Sequence, residues 1–176
     1  MPSKTNEKIF VRDPSNQIDS FLVSLYEDVL LFCESKRFDS LSNTSIISKE
    51  FKGYLNEIQF FEYNDTNKVQ IGNFENSSNK WFLKKTIKVG SLNNKIIFVS
   101  SGNKIKSLLK HIRNAFAHNL IIIDGGNVIM GDFVLGKKKQ IDMGRPTMLG
   151  RVSIENFELI INAINKIAKN NGKNNE

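Results

Sequence analysis

The apolar period of this chain changes at His118, and that change limits the folds open to it more than any other feature. Before it, Ile105, Leu108, Leu109, Ile112 and Phe116 recur at i, i+3, i+4, i+7 and i+11, a narrow stripe that one face of an α-helix buries. Asn103 is placed to cap such a helix, which predicts it from about Lys104 to Ala117. After it, Leu120 to Asp124 and Asn127 to Leu135 are β-rich and flank Gly125-Gly126, a pair that accepts the positive φ of a tight hairpin turn.

The remaining pattern is mostly helical. Pro14 opens a segment in which Ile18, Phe21, Leu22, Leu25, Val29, Leu30, Phe32 and Cys33 hold helical spacing to about Arg37. Ile46, Ile47, Phe51, Tyr54, Leu55 and Ile58 predict a second helix ending near Phe60, Phe61 and Tyr63. Asn64 to Asn79 is rich in Asn, Ser, Asp and Gly and reads as a loop or irregular insertion. Trp81 to Val89 and Lys95 to Val99 suit the two arms of a hairpin, and Gln140 to Met143 a short strand. Ser153 caps a final helix on Ile154, Phe157, Ile160, Ile161, Ile164 and Ile167. We therefore expect one domain over residues 1–176, with 1–13 and 169–176 as flexible tails and 64–100 as an irregular or β-rich insertion.

Composition narrows the chemistry. The 176 residues carry a formal charge of +7, enough to attract polyanions, and the lysines are spread so widely that a solvated surface explains them as well as a nucleic-acid face does. The one cysteine, Cys33, falls on an apolar helical face, so neither an intrachain disulfide nor a cysteine-based metal cluster can form. Two histidines with scattered carboxylates match no metal-ligand spacing, so no metal and no cofactor is expected. No signal-peptide pattern and no run of eighteen apolar residues occurs, which predicts a cytoplasmic protein without a membrane span.

The one stretch that looks like chemistry is Lys110-His111-Ile112-Arg113-Asn114-Ala115-Phe116-Ala117-His118. Arg113 offers a rigid, permanently charged fork suited to phosphate, and His118 an imidazole that exchanges protons near neutral pH. On an ideal helix Asn114 lies between them, opposite the apolar stripe, and the two flanking groups stand about 140° apart. Convergence on one ligand then needs His118 to swing at the helix end, or a second copy of the chain; small Ala115 and Ala117 would admit another helix. His111 sits one heptad before His118 and, with Lys110, is a candidate RNA contact or an exposed bystander. His118 also suits a helix C-terminus simply as a cap to the dipole.

Arg113, Asn114 and His118, followed by a short hairpin and a terminal helix, resemble the signature of the HEPN superfamily (higher eukaryotes and prokaryotes nucleotide-binding): an arginine, a polar residue and, a few positions on, a histidine. The resemblance spans Ile105 to Ile167, with the first helix similar by pattern only. It implies a mainly α fold, a HEPN-like helical bundle with an inserted β-hairpin region after the motif helix. It also implies a homodimer formed through that helix and a metal-independent endoribonuclease that cleaves RNA by 2′-hydroxyl attack to a 2′,3′-cyclic phosphate. The catalytic group would be Arg113, His118 and Asn114, in a toxin or phage-defence effector with room for an antitoxin or other regulatory partner. The other reading is a non-catalytic HEPN-like module that dimerises and binds RNA or protein.

Overall fold

A computed structural model describes residues 9–10, 27, 29, 58, 60–62, 74–77, 80–100 and 103–170. Within them run β1 (Phe60–Glu62), β2 (Phe74–Ser77), β3 (Lys80–Leu83), a 3-10 turn (Val89–Ser91), β4 (Lys95–Ser100), α1 (Lys104–Ala117), β5 (Ile121–Asp124), β6 (Asn127–Leu135), β7 (Ile141–Ser153) and α2 (Ile154–Asn170). Five strands form one sheet in the order β1-β4-β7-β6-β5, while β2 and β3 make a separate antiparallel hairpin. Within the large sheet β1 runs parallel to β4 and the other pairings are antiparallel.

Period-two alternation assigns each face of that sheet its own core. Ile96 and Phe98 of β4, Ile121 of β5, Val128 and Met130 of β6, and Met148 and Val152 of β7 pack with Leu108, Leu109 and Ile112 of α1 and Phe157, Ile160, Ile161 and Ile164 of α2. Their neighbours Ile97, Ile129, Phe133 and Leu149 point the other way, onto Leu83, Val89, Leu92 and Phe10. The sheet is thus covered by the two helices on one face and by the hairpin segment on the other. Because both faces are buried, β4, β5 and β6 carry near-continuous apolar runs rather than strict alternation.

This overturns the helical bundle expected from the resemblance. Two α-helices and seven strands have described bounds, so the domain is mixed α/β, and the sheet forms its centre rather than an insertion. Lys95–Ser100 does not pair with the Trp81 segment; it pairs with β7 and β1, and Lys80–Leu83 pairs instead with Phe74–Ser77. Residues 60–62, expected near a helix end, are a strand. Glu27 and Val29 are helical, but most of the first predicted helix, Cys33 included, and nearly all of the second lie outside the described residues. Ile9 and Phe10, in the segment expected to be a tail, are helical, and the Phe10 ring meets Phe133 edge-on at 5.7 Å.

The segment from Asn103 to Asn170 follows the sequence closely. Asn103 accepts from the Lys106 N–H at 2.9 Å and caps α1. Gly125 and Gly126 turn β5 into β6 with φ of +54° and +76°, the double positive φ of a type I′ turn that matches strand twist. The Ser153 hydroxyl accepts from the Asn156 N–H at 3.2 Å and caps α2.

Candidate functional site

The end of α1 is fixed by backbone geometry. His118 is the C-cap, Asn119 follows with φ +59°, and the N–H groups of Asn119 and Leu120 return to the carbonyls of Phe116 and Ala115 at 2.9 and 2.7 Å. This is a Schellman closure with asparagine in the left-handed position. It stops the helix at the motif histidine and drops Leu120 into the core opposite the helices.

One turn back, α1 meets a carboxylate that the sequence reading did not single out. Asp132 lies on β6 at 5% exposure, on the strand face shared with Val128 and Met130, which turns toward α1. Its Oδ2 receives His111 Nδ1 at 2.7 Å and the Asn114 Nδ2 amide at 3.2 Å, and its Oδ1 receives the Phe133 backbone N–H at 3.0 Å. A buried carboxylate left unpaired costs several kcal/mol, so three donors around one aspartate are what its position demands. His111 Nε2 meets the Val99 carbonyl of β4 at 2.8 Å, and its ring tilts against Phe98 at 5.9 Å. Both ring nitrogens are thus engaged. His111 therefore clasps α1 to β4 and β6 and has no ring nitrogen left for a ligand.

Asn114 is half-buried rather than opposite the core. While its amide nitrogen donates to Asp132, its Oδ1 accepts from Arg113 Nη1 at 3.3 Å. A chain of bonds thus runs from buried Asp132 through Asn114 to the half-buried guanidinium of Arg113. His118 is exposed, four residues beyond Asn114 on the same side of the helix, and its ring makes no hydrogen bond or ion pair among the described residues. Lys110 is exposed. Ala117 is at the surface, but Ala115 is fully buried in the helix-side core and cannot serve a helix-helix contact as expected.

The structure therefore joins Arg113, Asn114 and His111, leaves His118 outside that bonded set, and adds Asp132. The signal for Asp132 was present in the sequence: a lone acid inside the apolar run Val128 to Val134 must either end the strand or be paired. Among the described residues no three His, Cys, Asp or Glu side chains cluster as metal ligands, and no helix is long and apolar enough to cross a membrane. Comparison of the chain with protein-family models, curated proteins and solved structures finds no match.

Proposed function

We propose that this chain is a metal-independent endoribonuclease whose site is the C-terminal end of α1. The observation that supports this best is the bonded path Asp132-Asn114-Arg113, which anchors a guanidinium within two turns of an exposed histidine. Arg113 would neutralise charge that grows on the phosphorus during 2′-oxygen attack, an effect on the order of a hundred- to a thousandfold by analogy with oxyanion donors. His118 would take the 2′-hydroxyl proton, for roughly a hundred- to ten-thousandfold more. As the 2′-oxygen bonds to phosphorus, the bond from phosphorus to the 5′-oxygen breaks; the departing oxygen takes a proton and a 2′,3′-cyclic phosphate remains. The need for a 2′-hydroxyl makes RNA the substrate and DNA an inert analogue. Asn114 acts as a positioning residue, since its amide is committed to Asp132 and Arg113.

A homodimer meeting through the exposed side of α1 would bring two copies of the Arg113 to His118 segment together. The resemblance to HEPN proteins points the same way and suggests a toxin or defence effector controlled by a partner protein. The two-faced sheet, standing where a helical bundle was expected, favours a second reading: a non-catalytic RNA- or protein-binding module. Single-stranded RNA incubated with the protein in excess chelator separates the two. Fragments ending in cyclic phosphate, lost in both Arg113→Ala and His118→Ala with the fold retained, support the enzyme. Cleavage unchanged by either substitution refutes the site, and binding without cleavage selects the module.

A further inference from the structure

Positive charge gathers at a second place, where the segment after β3 meets the turn between β6 and β7. Lys84 and Lys85 follow β3, which packs on β7. Lys137, Lys138 and Lys139 form the β6-β7 turn, closed by the Gly136 N–H on the Gln140 carbonyl at 2.7 Å and the Lys139 N–H on the Gly136 carbonyl at 3.0 Å. Arg145 lies just along β7. Lys85 and the three turn lysines are exposed, and Lys84 and Arg145 are half-buried.

The acid next to this turn on β7, Asp142, is already engaged. It accepts from Arg145 Nε at 2.7 Å and from the Gly144 N–H at 3.1 Å. The Arg145 hydrogen bond, helped by the Gly144 N–H and the charges of Arg145 and Lys85, holds its carboxyl below the ordinary value. Ile141 and Met143 at the start of β7 pack against the same core as Leu83 of β3, which brings the segment after β3 and the β6-β7 turn toward one end of the sheet. Lys84, Lys85, Lys137, Lys138, Lys139 and Arg145 thus put six cations, one of them paired with Asp142, into these two short segments among the described residues. The turn is held by backbone bonds, so its lysine side chains are not needed to form it.

Two further features identify the partner. Trp81 on β3 is half-buried, edge-on to Phe74 at 5.9 Å, which puts an aromatic ring of the kind that stacks bases three residues before Lys84. Leu135 and Leu159 are the large apolar residues exposed among the described residues, and only Leu135 adjoins this surface. A surface that inserts into a lipid interface carries a broad apolar face beside its lysines, and one leucine does not supply it.

We propose that this surface docks the phosphate backbone of single-stranded RNA. The choice of RNA over other single strands rests on the function proposed above; the surface itself does not. The two places are also connected: the Gly131 N–H bonds the Leu120 carbonyl just after α1 at 3.0 Å, and Lys137 lies six residues further along, at most roughly 20 Å of strand. A strand held by the lysines can therefore extend toward the end of the motif helix.

The test uses the full chain and a 2′-O-methyl RNA oligonucleotide, which cannot undergo 2′-hydroxyl attack, so binding is read without cleavage. Trp81 is the sole tryptophan, and its emission reports contact directly. In the Lys84→Gln, Lys85→Gln, Lys137→Gln, Lys138→Gln variant, affinity falls at least about tenfold at 0.1 M salt, and the slope of log K against log salt becomes shallower by roughly 2 to 3, at about 0.7 per phosphate contact. Lys104→Gln with Lys106→Gln, a control at the start of α1, changes affinity less than the fourfold variant does. Because binding of this uncleavable oligonucleotide is read apart from cleavage, a parent chain that binds but does not cleave ordinary RNA leaves this surface standing even if the enzyme reading fails. Unchanged affinity in the fourfold variant, an equal loss in the control, or binding only to anionic lipid vesicles would overturn the proposal.

Discussion

Replacing Asp132 by alanine tests the most consequential contact in the domain. The substitution removes one acceptor group and strands three donors: His111 Nδ1, the Asn114 amide and the Phe133 N–H. Each buried donor left without a partner costs about 1–3 kcal/mol. Water reaches the His111 side, whose side chain is 15% exposed against 7% for Asp132, so the lower half of the summed range applies. We expect a loss of about 3–5 kcal/mol, a large share of the roughly 5–15 kcal/mol that holds a domain together. For a chain of this size that lowers Tm by about 6–20 °C. Urea denaturation followed by Trp81 fluorescence and by circular dichroism measures it, and 1 M salt leaves it nearly intact because buried pairs are weakly screened. A companion double variant, His111→Phe with Asp132→Leu, replaces the pair with carbon and recovers at least about 2 kcal/mol of the loss. An Asp132→Ala loss below about 1 kcal/mol, or a double variant no better than the single one, refutes the claim that this carboxylate ties α1 to the sheet.

Two further substitutions probe the same architecture. At Gly131 a Cβ would stand 2.8 Å from Phe133 Cε2 and 2.9 Å from Phe10 Cζ, so Gly131→Ala overpacks the hairpin-side core and lowers stability by about 1–3 kcal/mol in urea melts; a neutral result would mean that Phe10 does not pack there. Asp142 has a lowered pKa, so its contribution is present above the ordinary value of 3.8 and is lost as pH falls below it. Its pair with Arg145 is partly exposed, 37% and 26%, which keeps the effect under about 1 kcal/mol and sensitive to salt. Acid melts of the parent and Asp142→Asn therefore converge below that pH, and a gap that widens instead contradicts the assignment.

Local signals in the sequence were read by local rules and held where local physics decides. Asn103, the Gly125-Gly126 pair and Ser153 each act on backbone groups within three residues, so their roles are visible without knowing the fold. Strand partnership is a different matter. Lys95 to Val99 was legible as a strand, but its pairing with β7 depends on contacts fifty or more residues away. β7 itself hides behind Gly144, Arg145, Pro146 and Gly150, residues of low strand propensity. Pro146 pairs with Phe133, where the β6-β7 register shifts, and such an irregularity is where a sheet accepts proline. The helical bundle followed from giving the motif helix priority over these scattered strands.

The candidate site was half legible for a related reason. Helical spacing placed Arg113, Asn114 and His118 at one end of α1, but it could not say which of them the sheet would claim. That decision lies in the register of β6. Val128, Met130 and Asp132 point to α1 because they share one face; a slip of a single residue would turn Asp132 toward Phe10 and leave His111 and Asn114 unpaired. The register shift between Asp132 and Phe133 comes only after the carboxylate is in place. With Asp132 there, His111 and Asn114 are drawn inward and Arg113 is tied to the sheet through Asn114, while His118, set by the helix cap, stays exposed.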